Sequence, residues 1–497
     1  MKKWWSCLFV MVLFCTATVF PSVTSGEELP GKNRYRANVQ IDPLSKHVEG
    51  SITILFRPQD PSQIYLHVYP YAFAEKKQGE QWEQLLGKDA LPGAYAITKL
   101  SVEGHPVEPK RQGTLLEVSL ESAKDAVEKA GQVRLELHFE MTLPRNNGRM
   151  SYDDHALWLG NWLPVLAVHD KQGWNLEPYE PIGDPFYSEN ADYQIQVTLP
   201  DHYQLASTAA DQEAMIKATA QGQKTYQLEA GDVRDFALVI MDQTYQKLET
   251  KADHTQVRTW FRSSDNAVAA KRQHEAAWQS LAYFNSQFGA YPYREFDVVR
   301  TGGAINGMEY PAIVFVDGSH FFSERESTVH TVVHETAHQW FYGIVGNNQW
   351  KDAWLDEGLT EYAAIAFLSA KDPQYGAYRV WDRMLRGTTV SSYIEANLRP
   401  WQPLSAFPDN RSYGDLVYSR PFSMMWMLRD AWGEKKLHAF LKEYVRTYRF
   451  GVATGEDWIA LLTAEADADA KDFIDYWLYL NPKKRTAAEN WLEKQRQ

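Results

Sequence analysis

Two histidines and a glutamate lie close together in the segment TVVHETAHQWF, residues 331–341. On an α-helix, His334 and His338 are one turn apart, about 6 Å along the axis, so both imidazoles can reach one ion. Glu335 would project beside that ion, near enough to take a proton from activated water. This spacing is typical of a hydrolytic zinc site, although two histidines on a solvated helix face would give the same pattern.

A third ligand must come from another part of the chain. His330 lies one turn before His334, but three histidines along one straight helix span about 12 Å, too far for one tetrahedral ion. The downstream segment WKDAWLDEGLTEY supplies three carboxylates: Asp356, Glu357 and Glu361. Glu357 lies 19 positions after His338, which leaves room for a loop and the start of a second helix. Glu361, one turn later, could ligate the ion or hydrogen-bond a ligating imidazole.

The elements that must position these residues follow from the hydrophobic pattern. Short segments of alternating apolar and polar residues fill the chain from about residue 33 to 245, and this period of two predicts half-buried strands. Later in the chain, helical spacing predicts helices at 266–288, 324–343, 357–370, 419–431, 434–446 and 456–464, with short strands at 296–300 and 312–316. We therefore predict a multidomain protein. A mostly antiparallel β domain covers residues 27–248, and an α/β domain with a helical C-terminal part covers 249–497.

The first 26 residues have the layout of a secretory signal peptide. Two lysines precede an apolar run from Trp4 to Phe20, and small residues follow. We expect export, with the protein either secreted or held at the cell surface by an uncleaved signal, and no membrane span once the signal is removed. Cys7 and Cys15 are the two cysteines of the chain, so the mature protein would contain neither disulfides nor thiolate ligands. The formal charge of −13 argues against nucleic acid as a partner.

The motifs together resemble the membrane alanyl aminopeptidase family of zinc metallopeptidases, peptidase family M1 of the gluzincins. The family signature is HExxH, 18 residues, and then a glutamate in a W-L-x-E-G segment. Here HETAH is followed by Trp354-Leu355-Asp356-Glu357-Gly358. The resemblance selects Glu357 as the third zinc ligand and implies a thermolysin-like catalytic domain. The segments GNWLPVLA and GDPFYSENADYQIQVTLP are similar to the shorter bacterial members.

Two further positions are implied by this resemblance. A Gly-Ala-Met-Glu-Asn segment of the family appears here as Gly307-Met308-Glu309-Tyr310. The backbone of this segment would pair with the substrate as an edge strand, and Glu309 would hold the free α-amino group. Tyr310 replaces the usual asparagine. The family also places a tyrosine about 61 residues after the third ligand, which is Tyr418 here, to stabilise the oxyanion, with Tyr413 as the competing residue.

The resemblance implies an exported aminopeptidase that uses one zinc ion per chain to hydrolyse peptides with a free N-terminus. Two alternatives stay open at this point. The protein could be a zinc endopeptidase or another metallohydrolase of the same fold, because Tyr310 departs from the family pattern. It could also be a non-catalytic surface-binding protein that uses the β domain.

Overall fold

The computed structural model describes residues 32–210, 215–218, 222–302, 306–325 and 328–496. The predicted signal peptide, residues 1–26 with both cysteines, lies outside these ranges. Within them, no helix combines the length and apolarity needed to cross a bilayer.

Strands dominate the first half of the chain, as the alternating pattern predicts. In chain order they are β1 (Asn33–Asp42), β2 (His47–Phe56), β3 (Gln63–His67), β4 (Ala94–Val102), β5 (His105–Pro106), β6 (Lys110–Gln112), β7 (Leu115–Ser119), β8 (Val133–Thr142), β9 (Met150–Tyr152), β10 (Ala156–Leu159), β11 (Val165–Leu166), β12 (His169–Asp170), β13 (Gly173–Trp174), β14 (Ala191–Pro200), β15 (Gln204–Ser207), β16 (Met215–Ala218), β17 (Gln223–Val233) and β18 (Leu238–Met241). Two short helices interrupt them, α1 (Glu80–Leu86) and α2 (Lys124–Ala130).

These strands form one large sheet and several smaller ones. The large sheet has the order β16-β17-β14-β1-β2-β8-β4-β5 and is antiparallel except for the parallel pair β1 and β14. Two four-stranded sheets have the orders β15-β18-β10-β9 and β11-β3-β7-β6, and β12 pairs with β13. On β8, the apolar residues Val133, Leu135, Leu137 and Phe139 are buried and alternate with more exposed positions. The sequence therefore predicts this architecture correctly as mostly antiparallel β.

A mixed sheet and a set of helices follow. The strands are β19 (Tyr245–Ala252), β20 (Thr255–Arg262), β21 (Glu295–Thr301), β22 (Gly307–Met308) and β23 (Ile313–Asp317), in the spatial order β19-β20-β21-β23-β22. The helices are α3 (Ala267–Phe288), α4 (Val329–Ala337), α5 (Ala353–Lys371), α6 (Pro373–Thr388), α7 (Ser391–Glu395), α8 (Asn410–Tyr413), α9 (Arg420–Trp432), α10 (Glu434–Thr447), α11 (Gly455–Ala466), α12 (Lys471–Trp477) and α13 (Arg485–Gln495). Because β22 ends the sheet order, one of its edges is unpaired among the described strands.

The predicted and observed helices of this half differ at several places. The helix predicted at 324–343 is α4 followed by a π-helical segment, Gln339–Ile344, inside which Phe341 leaves helical geometry at φ −103° and ψ 37°. Residues 326 and 327 of that prediction lie outside the described ranges. The sequence also did not predict α6, α7, α8, α12 and α13, although Tyr375, Val380 and Met384 of α6 pack against the hydrophobic core.

The buried guanidinium of Arg234 is one of the groups that connect the two halves. Arg234 is 2% exposed and donates to three backbone carbonyls, those of Tyr342 at 2.6 Å, Ser188 at 2.9 Å and Gly451 at 3.3 Å. At Gly346 a Cβ would lie 2.0 Å from this guanidinium, so the glycine makes room for it. The described residues from Lys32 onward belong to one compact unit. The domain boundary near residue 248 stays a prediction.

Candidate metal centre and substrate cleft

Helix α4 presents the two histidines to a cleft. Val332, Val333 and Ala337 pack into the hydrophobic core and fix the helix from behind. His334 and His338 then point to the same side, and their Nε2 atoms lie 3.1 Å apart. The one-turn spacing therefore has the geometric result expected from the sequence.

Helix α5 adds the carboxylate. Oε2 of Glu357 lies 3.0 Å from Nε2 of His334 and 3.2 Å from Nε2 of His338. One ligand atom from each of the three residues lies within 4.8 Å of the others, and all three residues are buried. Two imidazole nitrogens and one carboxylate oxygen are the donor set with which proteins hold zinc while leaving a fourth position open. The residues present therefore fit that metal.

The outward nitrogen of each imidazole has its own partner. Nδ1 of His334 lies 3.0 Å from Oε2 of Glu361. This contact corresponds to the predicted role of Glu361 as a hydrogen-bond partner of a ligating imidazole. Nδ1 of His338 lies 3.0 Å from Oδ1 of Asp356 and 3.1 Å from the Thr360 hydroxyl. Such partners fix the ring orientation and leave Nε2 for the metal. The role of Asp356 was not predicted, although it occupies the x position of the W-L-x-E-G segment.

Glu335 lies between the metal centre and strand β22. The carboxylate packs so closely on this strand that a Cβ at Gly307 would lie 2.0 Å from its Oε1. Oε2 is buried and has no hydrogen-bond partner among the described residues. Burial raises the pKa of the Glu335 carboxyl to about 7, while the imidazoles of His334 and His338 lower it. A carboxylate in this position can accept a proton from a group beside the metal.

Glu309 follows β22 directly and is 3% exposed. Its backbone carbonyl accepts a hydrogen bond from the Gln339 side chain at 3.3 Å, so the π-helical segment after the histidines also holds this strand. Oε1 of Glu309 has no partner within the described part of the chain. Gly307 and Glu309 line the cleft. Met308 is fully buried, and its sulfur accepts a hydrogen bond from Nε of Arg149 at 3.0 Å, so its side chain packs away from the cleft.

Two cleft residues were missed by the sequence reasoning. Asp184 brings a carboxylate oxygen within 4.8 Å of those of Glu309 and Asp356. Arg149 forms an ion pair with Asp184 and donates to the Tyr179 hydroxyl at 3.1 Å. Burial raises the pKa of Glu309 well above its usual value, and the carboxylate of Asp184 adds to this. Asp184 lies in the GDPFYSE segment that carries part of the family resemblance, whereas no local signal marks Arg149.

Tyr418 completes the metal side of the cleft. It lies in a second π-helical segment, Gly414–Ser419, just before α9, and its hydroxyl donates to Oε1 of Glu357 at 2.5 Å. Its ring stacks on that of His334 with centroids 5.7 Å apart. Tyr413 also lines the cleft, but it packs against Gly183, where a Cβ would lie 2.5 Å from the Tyr413 hydroxyl. Of the two candidate phenols, Tyr418 is therefore the one in contact with the metal-binding residues.

The cleft that contains these groups encloses about 480 Å³. Its wall comes from both halves of the chain: Gln84, Leu85, Pro181 and Ile182 from the β-rich half, and Asn306, Thr331, Arg383 and Asn410 from the helical half. The arrangement combines a metal donor set, an adjacent carboxylate, a phenol and a buried acidic end. These are the groups needed for metal-assisted hydrolysis of a substrate that carries a cation.

Sequence comparisons place residues 272–477 in the peptidase family M1 domain. The tricorn protease-interacting factor F2 of Thermoplasma acidophilum is 24% identical over 222 residues, which cover 42% of this chain and 28% of that protein. Aminopeptidase M1-B of Oryza sativa subsp. japonica is 26% identical over 218 residues, covering 41% and 24%. The chain therefore spans about a quarter of the length of these curated relatives.

Solved structures with the same fold include an M1 zinc metallopeptidase of Deinococcus radiodurans. It matches with a TM-score of 0.59 at 17% identity and covers 94% of this chain and 95% of its own. A mutant of an M1 zinc metallopeptidase of the same organism, bound to a Tyr-Ser-Ala substrate, matches with a TM-score of 0.62 at 17% identity over 90% and 94%. The likeness therefore extends over both the β-rich and the helical half.

Proposed function

We propose that this chain, whose residues 272–477 match the peptidase family M1 domain, is a zinc-dependent aminopeptidase that removes N-terminal residues from peptides. One observation carries this proposal. His334, His338 and Glu357 converge in a cleft whose neighbouring wall holds the unpartnered carboxylate of Glu309. A peptide with a free α-ammonium group satisfies that carboxylate and presents its first peptide bond to the metal centre.

The residues have distinct roles in this reaction. His334, His338 and Glu357 would hold a zinc ion, which would supply the Lewis acid needed to polarise a peptide carbonyl and to acidify water. Glu335 takes a proton from the attacking water and delivers it to the leaving amine. The Tyr418 hydroxyl turns from Glu357 to donate to the oxyanion that forms on the substrate.

Substrate binding uses the other wall. The free edge of β22 pairs with the substrate backbone by β-strand addition. Glu309 accepts hydrogen bonds from the α-ammonium group, and the nearby carboxylate of Asp184 makes this end of the cleft more favourable for a cation. The Tyr-Ser-Ala complex of the Deinococcus radiodurans protein is consistent with short peptides as the substrate class.

We further propose that the enzyme acts outside the cytoplasm. The support is the charged, apolar and small-residue order of residues 1–26. N-terminal sequencing of the protein recovered from culture medium and from the cell envelope tests this. A new N-terminus near residue 26 in the medium is expected, whereas an intact N-terminus in the envelope fraction would indicate surface retention. Recovery of the intact chain in the cytoplasm alone would contradict export.

The activity itself is tested with paired peptides that differ only in N-acetylation. We expect hydrolysis of the free peptide, loss of this activity with a chelator, and its recovery with zinc. A Glu335→Gln variant should retain zinc but lose activity, while Glu395→Gln, at an exposed position on α7, serves as the matched control. Equal cleavage of acetylated peptides would favour the endopeptidase alternative. Unchanged activity of the Glu335→Gln variant would contradict the mechanism, whereas a wild-type protein that hydrolyses neither peptide would favour the surface-binding alternative.

A further inference from the structure

The cleft has opposite charges at its two ends. Beside His338 lie the carboxylates of Asp184 and Glu309, and the guanidinium of Arg149 at this end is already paired with Asp184. On the far side of His334, the guanidinium of Arg383 lines the cleft. The metal-binding residues lie between the two ends. A ligand that spans them therefore has one end beside the carboxylates and the other end beside the Arg383 guanidinium.

Arg383 is held firmly in this position. Its Nε donates to Oε1 of Glu361 at 2.6 Å, and its Nη1 donates to the Ser419 hydroxyl at 3.3 Å. Glu361 is fully buried, whereas the Arg383 side chain keeps 16% of its surface exposed. Its Nη2 has no hydrogen-bond partner among the residues that the structure describes. A fixed guanidinium with a free N–H edge is the form in which arginine binds carboxylates.

The carboxylate that contacts Arg383 is shared with a second guanidinium. Arg379 also donates to Oε1 of Glu361, at 3.4 Å, so two guanidiniums share one carboxylate. Asp382, the carboxylate next to Arg383 in sequence, is 3.3 Å from Arg386 and 4.0 Å from Arg379. Glu361 is thus the only carboxylate within ion-pair distance of Arg383 among the described residues, and it is shared, so an incoming anion is favoured at the free Nη2 of Arg383.

We propose that Arg383 binds a carboxylate on the substrate beyond the scissile bond, and that the enzyme thereby prefers short peptides. This inference rests on the proposed aminopeptidase function. One imidazole and one carboxylate, those of His334 and Glu361, separate the metal donor atoms from the guanidinium. An extended chain advances about 3.3–3.6 Å per residue, so the carboxylate belongs one or two residues after the cleaved bond. The carboxyl terminus of a dipeptide or tripeptide meets this requirement, as does an acidic side chain after the scissile bond.

The test compares kcat/KM for three substrates: Ala-Ala with a free carboxyl terminus, Ala-Ala-amide and Ala-Glu-amide. The wild-type enzyme should prefer a substrate with a carboxylate over Ala-Ala-amide by about tenfold or more, the usual range for a charge-assisted hydrogen bond. Preference for free Ala-Ala identifies the carboxyl terminus as the source, and preference for Ala-Glu-amide identifies the side chain. Arg383→Gln should abolish the preference, because kcat/KM should fall by a larger factor for the substrates with a carboxylate than for Ala-Ala-amide, and Arg383→Lys should retain part of it.

Controls separate binding from a structural role. Arg386→Gln removes a guanidinium from the same helix that contacts Asp382 and Asp415, and it should keep the wild-type preference. Zinc content is measured for every variant, because Glu361 also contacts His334. An equal fall in acid and amide hydrolysis with loss of zinc would show that Arg383 only supports Glu361, and would overturn the inference. A preference that survives in Arg383→Gln would overturn it as well.

Binding measurements keep this test independent of turnover. Calorimetric titration of Ala-Ala and Ala-Ala-amide into the Glu335→Gln protein should show the same carboxylate-dependent difference, and Arg383→Gln should remove it. If the wild-type enzyme hydrolyses none of the peptides, the proposed function fails, while the titration still reports whether Arg383 binds a carboxylate. Equal affinities for acid and amide would contradict the inference alone.

Discussion

The Tyr310 hydroxyl donates to Oδ1 of Asn161 across 2.6 Å, and this bond joins the strand that carries Glu309 to the β-rich half. Asn161 adopts a left-handed backbone conformation at φ 51°, and Gly160 beside it leaves room for the phenol. Tyr310 is fully buried, so the residue that departs from the family pattern has a structural role. Its hydrogen bond to Asn161 fixes the position of the neighbouring Glu309 at the acidic end of the cleft.

Gly160→Ala should displace this support. The added Cβ would lie 2.1 Å from the Tyr310 hydroxyl and 2.5 Å from Cζ, neither of which can move easily in a packed core. We expect a loss of about 1–3 kcal/mol in the free energy of unfolding, measured by urea denaturation, and a higher KM for free-amine peptides. Gly231→Ala is the control, because its Cβ would meet only an Asp192 oxygen at 3.4 Å. Equal stabilities of the two variants would contradict the packing argument.

Tyr418→Phe should lower kcat by about 10²–10³ with little change in KM, the usual cost of removing one donor to an oxyanion. The variant keeps the ring that stacks on His334 and removes only the hydroxyl that contacts Glu357. Tyr413→Phe removes a phenol from the same cleft and should stay within about threefold of wild type. Steady-state kinetics on one peptide measure both. The reverse order of effects would assign the oxyanion to Tyr413.

Glu357→Ala should lose zinc. Removing the one carboxylate from the set leaves two imidazoles, too few for a three-ligand site. The metal content should fall from near one zinc per chain towards zero, measured by atomic emission after dialysis. Zinc at 100 times its dissociation constant should stabilise the wild-type protein by about 2.7 kcal/mol, and the variant should show no such rise. Retention of full zinc by the variant would point to a different donor set.

His67 should make stability depend on pH away from the cleft. Burial lowers its pKa from 6.5 to about 4, so the folded protein keeps the ring neutral while the unfolded chain takes up a proton. This contribution to stability is complete above pH 6.5 and is lost as the pH falls towards 4. Between pH 7 and 5 the wild-type protein should lose about 2 kcal/mol more than His67→Gln. Urea denaturation at both pH values measures this, with exposed His138→Gln as the control expected to behave like wild type.

Local sequence predicts much of the metal centre, because its geometry depends on helix periodicity. The one-turn spacing of His334 and His338 brings their Nε2 atoms together, and the same spacing from Glu357 to Glu361 places the latter on the outward nitrogen of His334. The alternating strands also follow from local pattern. Each of these features follows from the repeat of a single helix or strand, together with one chain reversal between α4 and α5.

The remaining features depend on contacts between distant segments. Asp184 and Arg149 reach the acidic end of the cleft from irregular parts of the β-rich half, where no periodic signal places them. Arg383 lies on α6, and its place beside the metal-binding residues depends on contacts with Glu361 and Ser419, which are 22 and 36 residues away in the chain. The end of α4 and the start of the π-helical segment also cannot be predicted from local sequence, because the Gln339 side chain hydrogen-bonds to backbone atoms about 30 residues earlier.

The buried guanidinium of Arg234 limits which segment of the chain could be moved to another protein with its cleft intact. The stretch that matches the family model, residues 272–477, does not include this arginine. Excising it would remove the side chain that donates to the Tyr342 carbonyl and would leave an empty space beside Gly346. A design that transfers the metal-binding residues to another scaffold would therefore have to include the segment around Arg234, or place another cationic side chain beside Gly346.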